Sequence, residues 1–249
     1  MSKPILTREE FEALRIKSAR DMAADRDLRR RALEVKVKAG HEYYWVHQTN
    51  WMGEPCLQLP QDMFALQDAI YKSRPDYIVE CGVAWGGTLL FYASLLHQLG
   101  GKKVVGVDIF IPEDLRERVA AKVPFPGAVE LIQGSSVEES TAEQVRNITG
   151  YGSRVMVILD SHHTHDHVLR ELQLYAPMVG PGCYLICGDT IIDEQPPADK
   201  RPRPWGEGNN PATALREFLS GRDDFEVDLT IENKLLLSNM PGGYLRKKS

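Results

Sequence analysis

From residue 77 onward, short apolar runs alternate with longer stretches whose apolar residues recur at helical spacing. The runs are YIVECG (77–82), KVVGVD (103–108), VELIQG (129–134), RVMVILD (154–160) and GCYLICGD (182–189). Continuous apolar runs of this length, closed by glycine or an acid, predict strands buried on both faces. GGTLLFYASLLHQLG (86–100) predicts a helix ended by glycine, and residues 167–176 predict the helix after the fourth strand. FEVDLT (225–230) and KLLLSN (234–239) close the chain as two further strands. Too little chain separates them for a parallel crossover, so they predict an antiparallel hairpin. The result is an α/β, Rossmann-like architecture: a mostly parallel, seven-stranded sheet with a reversed last strand.

Upstream the pattern is different. Thr7 followed by Glu10 fits a capping box, and Phe11, Leu14 and Met22 then recur at helical spacing. Residues 8–38 therefore predict one or two helices, rich in Arg and Glu and too polar to form a core. The expected organisation is an N-terminal helical arm over 1–42 and a main domain over 43–249. The arm is expected to pack on that domain or on another subunit of a homo-oligomer. HEYYWVHQTNWMG (41–53) is aromatic-rich and irregular, and residues 61–73 predict a helix stopped by Pro75. The long stretch 190–212 carries five prolines. A loop of that length inside a domain is usually functional or disordered.

Composition narrows the possibilities. The 249 residues carry a formal net charge of −5, which speaks against nucleic acid as the main partner. No run of 18 apolar residues occurs, so no membrane span is expected. The polar N-terminus has no signal-peptide core. Cys56, Cys81, Cys183 and Cys187 form no CxxC pair and read as small buried hydrophobes of a reducing compartment. Cytoplasmic location is the resulting expectation.

The first strand runs into ECGVAWGGT, with Glu80, Gly82, Gly86, Gly87 and Thr88. Glycines at a strand-to-helix turn let backbone approach a ligand, but neither GK[ST] nor GxGxxG is present. Glu80 would repel a pyrophosphate and suits a cation, such as the sulfonium and ammonium of S-adenosylmethionine (SAM). Asp108, at the end of the second strand, matches the acid that binds ribose hydroxyls in nucleoside-binding sheets. Gly134, Ser135 and Ser136 fall where the adenine end of SAM belongs. The competing reading is that Gly86 and Gly87 serve tight helix packing and that Asp108 caps a loop.

Four of the seven histidines lie in VILDSHHTHDHV (157–168). Asp160 ends the fourth strand and Asp189 the fifth. Adjacent strands lie about 4.8 Å apart, so the two carboxylates can share one divalent metal ion, with Mg²⁺ the best match to oxygen donors. His163, three residues past Asp160, is the candidate general base, because an imidazole accepts a proton near neutral pH. His165 and His167 read as solvated, Asp166 reads as an early helix acid, and His162 stays undecided. Trp205 reads either as a stacking face or as a buried anchor of its loop.

Beyond these readings, the chain resembles the cephalosporin hydroxylase family of SAM-dependent methyltransferase-like proteins, related to macrocin- and mycinamicin-type sugar O-methyltransferases. The resemblance spans roughly residues 43–246. It rests on TNWMGEPCLQLPQDMFALQ, RPDYIVECGVAWGGTLLFYAS, VVGVDI, ILDSHHTHDHVLRELQLYAPMVGPGCYLICGDT, WGEGNNPATALREFL and NMPGGYLRK. It implies a class I methyltransferase fold and a Mg²⁺-type metal held by an aspartate after strand four and a Glu-Asp pair after strand five. Asp160 and Asp189 match that pattern, whereas Gly188 stands at the glutamate position. It implies the base role for His163, and Trp85 stands where the family often has histidine. The expected reaction is metal-assisted methyl transfer from SAM to a hydroxyl of a sugar or secondary-metabolite acceptor. A non-catalytic SAM-binding subunit and a nicotinamide-dependent oxidoreductase are the rivals.

Overall fold

The computed structural model describes residues 6–197 and 201–248. Two helices open it, α1 (Arg8–Ala24) and α2 (Arg26–Tyr43). The capping box forms as expected: Glu10 N donates to Thr7 Oγ1, and Thr7 N donates to Glu10 Oε2. Asp25 ends α1 and caps α2 by accepting from Leu28 N, which splits the predicted stretch in two. α1 buries none of its residues, whereas α2 buries Ala32 and Lys36.

A two-stranded hairpin follows, β1 (Asn50–Trp51) and β2 (Glu54–Pro55), and then α3 (Pro60–Ser73). The main sheet begins with β3 (Tyr77–Cys81), α4 (Gly87–Leu99), β4 (Lys103–Asp108), α5 (Glu113–Ala120) and β5 (Val129–Gln133). It continues with α6 (Glu139–Thr149), β6 (Val155–Leu159), α7 (His165–Tyr175) and β7 (Tyr184–Cys187). α8 (Pro211–Leu219), β8 (Phe225–Val227), the short α9 (Leu229–Glu232) and β9 (Tyr244–Lys247) complete the chain.

The strand order is β5-β4-β3-β6-β7-β9-β8. The first five pair in parallel, and β9 runs antiparallel to both β7 and β8. This is the class I methyltransferase arrangement. Alternation along each strand feeds two cores. Ile78, Met156, Ile158, Tyr184 and Ile186 pack with residues of α3, α4 and α5. Val79, Cys81, Val157, Leu185 and Cys187 pack with residues of α6, α7 and α8 on the other side. The sheet is covered on both faces, so its strands lack polar alternation. Cys56, Cys81, Cys183 and Cys187 are all free and buried, and burial pushes each thiol pKa up.

The end of the chain corrects the sequence reading in detail. Residues 234–239 are not a strand; the reversed strand is β9, ten residues further on at Tyr244. The apolar run is diverted by a buried acid on α3. Asp62 accepts from Ser238 Oγ at 2.6 Å and from Asn239 N at 2.8 Å, holding the segment across the helix. Asp228 caps α9 and so ends β8 after Val227. No described helix is long and apolar enough to cross a membrane.

Candidate active site

A cavity of about 1120 Å³ opens at the carboxyl ends of the parallel strands. Ligands of open α/β sheets bind at this edge, beside the point where the strand order reverses. Here that point lies between β3 and β6.

Gly82 follows β3 with φ of 95°. A Cβ at this position would stand 2.2 Å from the carbonyl oxygen of Asp160, so only glycine lets the turn lie against the end of β6. Glu80, Gly82, Thr88, Asp108, Gly134, Ser135 and Ser136 all line the cavity. Glu80 is almost fully buried and accepts from Thr88 Oγ1 at 2.8 Å. Burial pushes its carboxyl up to about 8 against the opposing effect of that hydrogen bond. Asp108 also braces the turn: Oδ2 accepts from Val83 N at 2.8 Å and Oδ1 from Phe110 N at 3.1 Å. The loop-capping reading of Asp108 therefore holds alongside its place in the cavity.

Gly86 and Gly87, expected in the cofactor site, do not line the cavity. A side chain at Gly87 would strike the carbonyl oxygens of Pro55 and Glu54 at 2.4 and 2.5 Å, and one at Gly86 would meet Val119 and Leu115. The absence of a side chain at these two positions lets α4 start against the β2 backbone and α5.

Asp160, His163 and Asp189 converge. Each offers one ligand atom, and the three atoms lie within 4.8 Å of one another. His163 Nε2 stands 3.4 Å from Asp189 Oδ2. Burial, then the Asp189 and Glu80 carboxylates, push the Asp160 carboxyl well above its ordinary range. Two carboxylates brought this close are costly without a counter-charge. Two carboxylates and an imidazole are a donor set that suits a hard divalent ion and tolerates Mn²⁺ or Fe²⁺. The residues present therefore fit a metal. Gly188 is part of the arrangement, since a Cβ there would lie 2.6 Å from Asp160 Oδ1. The Asp160 carboxylate fills the space into which a longer residue at 188 would project.

Gln58 went unnoticed in the sequence reading. Its Nε2 donates to Asp160 Oδ2 at 2.8 Å and fixes that carboxylate, while its Oε1 is buried without a hydrogen-bond partner among the described residues. Gln58 lies in the irregular segment before α3, 102 residues from Asp160. No local pattern could link the two.

The remaining histidines are less solvated than expected. The His167 ring bonds Ser136 Oγ at 3.2 Å and Ser161 Oγ at 3.1 Å, and Ser161 donates to the fully buried Glu171 at 2.6 Å. His165 bonds Thr213 Oγ1 at 2.8 Å and so ties α7 to α8. His162 bonds Thr164 Oγ1 at 3.0 Å, and burial, then His167 and His163, lower its pKa. Trp205 meets the His163 ring edge-on at 4.8 Å and the His162 ring at 5.4 Å. Part of the long loop is thereby brought to the carboxylate–imidazole cluster.

Comparison with known proteins identifies the family. The family model described as Rhamnosyl O-methyltransferase/CmcI matches residues 43–248. A Rhamnosyl O-methyltransferase of Mycobacterium leprae (strain TN) is 32% identical over 216 residues, covering 84% of this chain and 89% of that protein. The Rhamnosyl O-methyltransferase of Mycobacterium tuberculosis (strain ATCC 25618 / H37Rv) is 29% identical over 213 residues, with 82% of each covered. Among solved structures, a CmcI described with Mg and SAM superposes with a TM-score of 0.58 at 21% identity, over 82% of this chain and 78% of that one. The O-methyltransferase TomG of Streptomyces achromogenes superposes with a TM-score of 0.53 at 14% identity, over 88% of this chain and 90% of that one. Those two show the fold. The chain belongs to the Rhamnosyl O-methyltransferase/CmcI family and is a SAM-dependent O-methyltransferase.

Proposed function

We propose that the protein carries out metal-assisted methyl transfer to a hydroxyl of a small-molecule acceptor, a sugar or secondary-metabolite natural product. The observation that carries this reading is the convergence of Asp160, His163 and Asp189 in the cavity that also holds the glycine turn. Asp160 and Asp189 would hold the ion, with Gln58 fixing the first of them. Bound there, a divalent ion would act as a Lewis acid and lower the pKa of the acceptor hydroxyl.

His163 removes the hydroxyl proton. The Asp189 carboxylate, 3.4 Å from its Nε2, stabilises the imidazolium that results. Glu80, with Gly82, Thr88, Asp108, Gly134, Ser135 and Ser136, binds and orients the methyl donor. The task of the cavity is to hold the acceptor oxygen about 3–3.5 Å from the methyl group and in line with it. Trp205 packs edge-on against the His163 ring and would shield it from water once the acceptor is bound.

The test is turnover and SAM binding in Asp160→Ala and His163→Ala, with Mn²⁺ titrated by electron paramagnetic resonance. Both variants are expected to lose turnover and to keep SAM binding, with Mn²⁺ affinity falling in Asp160→Ala. Near-normal rates in both would overturn the mechanism.

A further inference from the structure

Three cations, Lys36, Arg201 and Arg203, line the cavity together with its carboxylates, in a chain whose formal net charge is −5. Lys36 reaches it from α2, 8% exposed, and its ammonium takes part in no hydrogen bond or ion pair among the described residues. Asp189, Asp62 and Glu194 attract it from a distance, yet burial outweighs them and holds its pKa below the ordinary value. That is the direction expected of an ammonium without a bonded counter-charge.

Arg201 and Arg203 line the same cavity from the loop after β7, again without an ion pair among the described residues. The Arg203 guanidinium lies 5.0 Å from the Trp205 ring and that of Arg201 6.0 Å from the Tyr44 ring. Their fields overlap at His47, whose pKa is lowered first by burial and then by these two arginines. Cations that repel one another at a cavity wall are stabilised by an anion placed among them. Guanidinium forks match the geometry of carboxylate and phosphate oxygens. The position matters as much as the charge: Arg203 packs on Trp205, and Trp205 packs on His163. A charged group held by Arg203 would sit one indole away from the proposed base.

We propose that the acceptor is an anion: a hydroxyl compound bearing a carboxylate or phosphate, docked by Lys36, Arg201 and Arg203 while its hydroxyl faces His163. This rests on the reading of that side of the cavity as the acceptor site. The anionic group fixes the orientation of the acceptor and selects it over neutral sugars.

The experiment uses the intact protein saturated with S-adenosylhomocysteine. Inorganic phosphate, glucuronate, glucose 1-phosphate and neutral methyl glucoside are titrated, and quenching of tryptophan fluorescence is read, since Trp45 and Trp205 both line the cavity. The anions are expected to bind saturably and the neutral glycoside at least about tenfold more weakly, the worth of one charge-assisted hydrogen bond. Lys36→Met and Arg203→Gln should each weaken the anions by a similar factor. Arg8→Gln removes the same charge from exposed α1 and should leave binding unchanged. Arg203 is exposed, so its variant reports even where Lys36→Met fails to fold. Preference for glucuronate or for glucose 1-phosphate assigns the anion as carboxylate or phosphate, and either supports the proposal. Anions binding no better than methyl glucoside, or binding unaltered in Arg203→Gln, would overturn it. That failure leaves the catalytic reading intact, because the catalytic reading is judged by turnover in His163→Ala.

Discussion

His163 Nε2 stands 3.4 Å from Asp189 Oδ2, so the loop after β6 and the end of β7 meet through one imidazole–carboxylate contact. Asp160, at the end of β6, completes the group. Neighbouring parallel strands thus deliver the acids, and the loop between β6 and α7 delivers the imidazole proposed as the base.

Removal of that base should be costly. A positioned general base contributes about 10²–10⁴-fold to rate. His163→Ala is expected to lower kcat by that range with the Kd for SAM changed by less than a few-fold. Steady-state kinetics beside calorimetric titration reads both, and a KM effect alone would contradict the assignment.

Gln58 acts through Asp160. Partners that orient a metal ligand are typically worth about 10–100-fold in metal affinity or activity. Gln58→Leu should therefore weaken Mn²⁺ binding and kcat/KM together by about that factor. Gln58→Glu places a carboxylate against Asp160 and should be worse than Gln58→Leu at neutral pH.

Gly188 is required by its neighbour. Gly188→Ala brings a methyl group to 2.6 Å from Asp160 Oδ1, so the carboxylate must turn away from Gln58. Overpacking of this kind costs about 1–3 kcal/mol. Calorimetric unfolding should show a lowered Tm, with weaker metal binding in the variant that remains folded.

Glu80 makes SAM binding pH-dependent. With its carboxyl pushed up to about 8, the group is mostly protonated at pH 7 in the empty cavity. A cationic ligand favours the carboxylate and lowers that pKa, so binding expels a proton. Affinity should rise as pH increases from 6 towards 8 and level off above 8. At pH 7 the binding enthalpy should vary with the ionisation enthalpy of the buffer, and Glu80→Gln should remove that dependence.

The central sheet could be read from sequence because its strands are short, mostly apolar runs followed by glycine or acid. Asp160, His163 and Asp189 could be placed for the same reason: each lies within a few residues of a strand end, and strand ends share one edge. The failures share a cause as well. The run 234–239 is as apolar as a strand, but Asp62, 176 residues before Ser238, captures it by a side-chain contact that leaves no local trace. Gly86 and Gly87 look like ligand-binding glycines, and their close packing against α5 and the β2 backbone is a further demand for glycine that the sequence does not display. Gln58 and Lys36 enter the site from segments distant in the chain, so neither spacing nor periodicity marks them.

Lys36 belongs to α2, upstream of residue 43, where the match to the family begins. A chain started at residue 43 would retain every strand, the glycine turn and the Asp160–His163–Asp189 cluster, yet lose the Lys36 side of the pocket. If the two proposals hold, the chemistry resides in the sheet, while the taste for a given acceptor resides partly in a helical prefix.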